Sequence, residues 1–148
     1  MSPGLQLSLS EYEQNEAEKG DYLAFVATTS QYGFAGRTLF WVSRDYLESF
    51  ISELDALDAT LRGEARLRCG WGDDVLFELA ILSEGHGGRL RVKIGITSDS
   101  RSVESSQLVT TFVIMPNTLT SFRKALSDIL FTKAPGVAEL AIDPESAV

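Results

Sequence analysis

Histidine and cysteine are almost missing from this chain: His86 and Cys69 are the only representatives. A single cysteine excludes an internal disulfide and suits a reducing compartment such as the cytoplasm. A zinc site needs three or four ligands held close together. Cys69 and His86 fall on different elements, so neither a metal nor another cofactor is expected. His86 sits in EGHGGR, a turn flanked by glycines. HGG also occurs in the oxyanion loop of some α/β-hydrolases, but the nucleophile elbow G-x-S-x-G is missing here. No serine is marked out as the partner of His86 in a triad. No phosphate-binding loop is present, and no G-x-G-x-x-G follows a strand. Asp73 and Asp74 are adjacent acids, yet GWGDDV lacks the further oxygen ligands of a calcium loop. They read as solvated acids in a hairpin turn.

Long apolar runs are lacking too. None approaches the roughly 18 residues that a membrane span requires. MSPGLQLSLSEYEQ has no basic stretch followed by an apolar one, so no signal peptide is expected. Basic residues are scarce, with 13 Lys and Arg against 21 Asp and Glu and a net charge of −8. The first 60 residues hold 10 acids and 3 bases, whereas residues 61–131 hold 8 and 9. Nucleic acid is a poor fit, because binding it takes clustered Lys and Arg. A basic protein surface is a better match to the acidic first half.

What the chain does have is clear patterning. Its 148 residues and 44% hydrophobic content suit one globular domain. LQLSLS alternates apolar and polar residues, YLAFVATT and TLFWV are rich in strand formers, and SQYGFAGR reads as a hairpin loop. TLFWV, with large side chains on both faces, is placed inside the sheet. EARLRCGW, DVLFELAIL and RLRVKIGIT then follow strict period two. They place Ala65, Leu67, Cys69 and Trp71, then Val75, Phe77, Leu79 and Ile81, then Leu90, Val92, Ile94 and Ile96 on the inner face. Cys69 thus reads as a small core hydrophobe. SDSRSVESS is a polar loop, and QLVTTFVIM is a further strand.

Two helices are predicted. One begins at Asp45 as N-cap and carries the stripe Leu47, Phe50, Ile51, Leu54 and Leu57. The other begins at Asn117 and carries Leu119, Phe122, Leu126, Ile129 and Leu130. FWVSRDYLESFISEL recurs 72 positions on as FVIMPNTLTSFRKAL. Because the shared positions point inward, the recurrence reads as a repeated docking helix and not as repeated chemistry. The recurrence records either an old duplication or convergence on a good docking helix, and convergence is favoured because the stripe L-x-x-F-x-x-x-L is common. The expected fold is α+β: a mostly antiparallel sheet of six to seven strands with two amphipathic helices packed on one face. The domain is expected over residues 1–131, with an extended tail over 132–148.

Two surfaces stand out as candidate partner-binding sites. Tyr32, Phe34 and Trp71 are aromatic residues in or beside glycine-rich loops, where binding residues concentrate. Glu48, Glu53, Asp55 and Asp58 form the acidic face of the first helix. The layout resembles, over residues 20–131, a family of small bacterial proteins of unknown or immunity function grouped with the WapI-type immunity proteins. The resemblance is carried by YLAFVATT, the glycine-rich loop, FWVSRDYLESFISEL, GEARLRCGW, GHGGRLRVKIGI and the closing strand and helix. It implies a noncatalytic binder that neutralises a toxin domain. An alternative is an enzyme or small-ligand protein with a pocket between helices and sheet, drawing on His86. A third role is assembly through an edge strand.

Overall fold

The computed structural model describes residues 3–14, 20–71, 74–85, 88–97 and 107–144, the Trp71 side chain excepted. His86, Asp73 and the loop 98–106 lie outside the described residues. Eight strands and two helices follow in the order β1 (Gly4–Glu13), β2 (Tyr22–Gln31), β3 (Phe34–Ser43), α1 (Arg44–Thr60), β4 (Glu64–Trp71), β5 (Asp74–Ser83), β6 (Leu90–Thr97), β7 (Gln107–Ile114), α2 (Pro116–Thr132) and β8 (Val137–Ala141).

These strands do not make the single sheet of six to seven strands expected from the sequence. They form two antiparallel four-stranded sheets, ordered β3-β2-β1-β8 and β4-β5-β6-β7. The physical reason is that period-two alternation tells which face of a strand is buried but not which strand lies beside it. α1 parts β3 from β4, so the hydrogen-bonded ladder does not continue across it. The C-terminal segment contributes β8, whose Leu5↔Leu140 and Leu7↔Ala138 pairings complete the first sheet. β3 is an edge strand of that sheet rather than an interior one, and its inner face turns towards the second sheet.

Phe40 of β3 joins the sheets. Its ring stacks on Phe77 of β5 with centroids 4.5 Å apart and on Phe25 of β2 at 5.8 Å. The inward residues of all eight strands and the stripes of both helices make one continuous core. Each large side chain fully buried there contributes about 1.5–3 kcal/mol. Helix starts differ by a residue or two from the reading of the sequence. Ser43 caps α1, its hydroxyl accepting from Tyr46 N at 3.2 Å, and Asp45 lies in the first turn. For α2 the cap position is Met115 and Pro116 is the first helical residue, a place where proline's missing N–H costs nothing.

The 72-residue recurrence reaches far beyond the stripe. Both helices are 17 residues long, and both end on a left-handed residue, Leu61 and Lys133. Leu61 N and Lys133 N donate to Leu57 O and Ile129 O. Positions 57, 61, 129 and 133 are pairwise equivalent under the shift. Strand use repeats as well. Each half runs three strands, one helix and one last strand, and each half gives that last strand to the other half's sheet: β4 beside β5, and β8 beside β1. This shared and reciprocal exchange favours duplication over the convergence inferred from the stripe alone.

Gly4 is required where the exchange closes. Its φ is 133°, and a Cβ there would lie 2.0 Å from Leu140 O across the β1–β8 ladder. Gly4→Ala is therefore expected to destabilise the protein by more than about 1 kcal/mol, read as an earlier urea midpoint. The outer edge of β4 is covered from the helix layer. Glu53 Oε1 accepts from Arg66 N at 3.0 Å, and Tyr46 Oη accepts from Arg68 N at 3.1 Å.

Candidate functional site

The helices run antiparallel and side by side, so one end of their seam joins the last turns of α1 to the first turns of α2. There Arg123 reaches Asp55 at 3.2 Å and Asp58 at 3.1 Å, and Thr120 Oγ1 donates to Asp58 Oδ1 at 2.6 Å. Asp55 and Asp58, anticipated as partner-binding acids, thus hold the two helices together. Glu53 serves the β4 edge. Glu48 receives Arg44 Nε at 2.9 Å in an i, i+4 pair. Spacing along one helix shows that these carboxylates share a face, but their partners come from other elements.

At the other end of the seam Arg44 anchors a small polar network. Arg44 Nη1 donates to Tyr12 Oη at 2.7 Å, and Tyr12 Oη donates to Asp21 Oδ2 at 2.5 Å. Burial, followed by the bond to Asp21, holds the Tyr12 phenol above its usual range. The bonds to Tyr12 and then to Glu48 push the Arg44 guanidinium up. Lys133 Nζ lies 5.3 Å from the centre of the Tyr12 ring, within reach of a cation–π attraction. Beside this network lies a groove of about 490 Å³ lined by Arg44, Glu48, Ile51, Ser52, Ser127, Asp128, Leu130 and Phe131.

Phe131 is the residue that the sequence reading missed. It is 85% exposed, the highest value among the exposed large apolar side chains described. It follows Phe122 by nine residues, roughly half a turn off the buried stripe at about 100° per residue. That spacing is the signal that marks it as outward-facing.

The aromatic candidates lie elsewhere. Tyr32 and Gly33 form the β2–β3 turn with φ of 49° and 86°, the two positive values of a tight twisted hairpin. Tyr32 is 63% and Phe34 70% exposed. The tip rests on β7, where Thr110 Oγ1 donates to Gln31 Oε1 at 2.6 Å. It sits at the far end of β3 from α1, roughly 30 Å away at about 3.3 Å per residue. Trp71 ends β4 opposite Asp74. The structure therefore splits the seven candidates among α1, the β2–β3 hairpin tip and the end of β4.

The space between helices and sheets is filled by Leu47, Phe50, Leu54, Leu119, Phe122 and Leu126, all buried. Among the described residues, no three His, Cys, Asp or Glu side chains stand close enough to share a metal ion. No described helix is long and apolar enough to cross a membrane. Cys69 is buried, and burial pushes its thiol up to about 12. An unfolded thiol titrates near about 8.5. Between those values the unfolded chain has lost a proton that the folded chain keeps, so stability falls as pH rises through that window. Accordingly, Cys69 is expected to react with a thiol reagent at pH 8 only after denaturant is added, followed by absorbance. Compared with known proteins, the chain matches no family model and no curated sequence.

Proposed function

We propose that the protein is a noncatalytic binding module of the immunity type, which works in the cytoplasm by covering a basic surface on a toxin domain. The observation that carries this reading is the outer wall of the helix pair. It combines an almost fully exposed Phe131 with the exposed acids Asp45, Glu48, Glu53, Asp55 and Asp128. Arg44, Lys124 and Lys133 lie near the same anchor, but acids outnumber bases along the helix pair, and an apolar anchor with a net charge beside it suits an oppositely charged partner. The apolar filling between helices and sheets also supports binding at the surface over a ligand pocket beneath the helices.

The test is capture followed by protection. Tagged protein is crosslinked in its host, and the captured partner is expressed alone and together with this chain. The expected result is a basic domain that stops growth alone and is tolerated in company. Recovery of no protein partner, together with a thermal shift on adding a metabolite, would overturn the proposal in favour of a ligand-binding domain.

A further inference from the structure

The duplication supplies an internal comparison, because the two ends of the helix seam are equivalent by the 72-residue shift. Arg123 corresponds to Ile51, Asp58 to Leu130, Asp55 to Ser127 and Ala59 to Phe131. At one end the first three positions make the ion cluster that closes the seam. At the other, the equivalent positions carry the apolar or neutral side chains of Ile51, Leu130 and Ser127, and solvent-facing Phe131 stands where the first end has Ala59. The same backbone is thus closed at one end and left as a groove at the other.

We infer that this groove docks a basic amphipathic helix of a partner protein, which seats an apolar side chain against Ile51, Leu130 and Phe131. This rests on the protein-binding reading above and names the partner's chemistry. A channel between two antiparallel helices takes the side-chain ridge of a third. Ile51 and Leu130 lie at its base and show a small part of their apolar side chains, 8% and 7% exposed. Its rim holds Glu48 and Asp128, with Arg44 already bound to Glu48 and Tyr12. Asp45 adds an exposed negative charge at the start of α1, whereas Glu53 faces the β4 edge and Asp55 is paired with Arg123. Lys or Arg beside the apolar anchor complements that rim. A second copy of this chain would bring a like-charged wall against it.

The probe is an 18-residue peptide of leucine and lysine with leucines at helical spacing, titrated into the isotopically labelled full chain at physiological salt. A scrambled peptide of identical composition is the control for charge alone. The expected result is binding of the patterned peptide, with amide shifts centred on Ile51, Ser127, Leu130 and Phe131, and at least tenfold weaker binding by Phe131→Ala. Ile51→Arg with Leu130→Asp writes the closed end into the open one and is expected to abolish binding while the melting transition is retained. Equal binding of the scrambled peptide, no binding at millimolar peptide, or no effect of either variant overturns the inference. Self-association that Phe131→Ala abolishes would also overturn it, since the occupant would then be a second copy. If a captured toxin domain binds wild type and both variants equally, the inference fails while the protein-binding reading stands.

Discussion

Alanine at Phe77 is expected to lower the free energy of unfolding by about 3–5 kcal/mol, the usual cost of deleting a buried ring. Phe77 has no solvent exposure and lies nearly parallel to Phe40, at 3° between ring planes. Those two rings belong to different sheets, so the substitution opens a cavity where the halves of the molecule meet. A domain of this size has roughly 5–15 kcal/mol in total, and the melting temperature should fall by roughly 6–20 °C. Phe34→Ala removes the same side chain type from the exposed hairpin tip and should stay within about 0.5 kcal/mol of wild type. Urea titrations of the pair check both values. A loss below about 1 kcal/mol at Phe77 would mean that the stack does not join the sheets.

Severing the chain between Gly72 and Asp73 is expected to yield two pieces that need one another. Residues 1–72 hold β1, β2, β3, α1 and β4, and residues 73–148 hold β5, β6, β7, α2 and β8. Alone, the first piece has β4 with no ladder partner and lacks β8 beside β1. The second has β8 stranded in the same way. Coexpressed, they should purify as a 1:1 complex with a single cooperative unfolding transition. Native mass spectrometry and circular dichroism read the outcome. A piece that is monomeric and cooperatively folded by itself would show that strand exchange is not required for either half to fold.

Local structure was legible in the sequence because periodicity is a local quantity. Leu47, Phe50, Leu54 and their counterparts Leu119, Phe122 and Leu126 lie where helical spacing puts them. Leu90, Val92, Ile94 and Ile96 face inward along β6 as period two requires. Val75 departs from the pattern and is half-buried, because a bulge between Cys69 and Gly70 shifts the β4–β5 register near its turn. The division into two sheets was not legible. It depends on pairings such as Gly4 with Ala141 that no window of neighbouring residues contains. The acids of α1 follow the same rule. Their common face could be read from spacing, but Asp58 is held by Arg123, 65 positions away, and no pattern announces such a pair. Gly33 and Gly36 made the turn that carries Tyr32 and Phe34 legible, but not whether the rings fold back on the sheet end or face solvent, as they do.

Strand exchange also bears on how the protein is made. A ribosome adds Ala141 137 residues after Gly4, so β1 waits with one margin bare while the remainder is translated. The first sheet can reach its final width only after synthesis has passed the second. Nascent chains that stall in between leave that margin open to pairing with another chain.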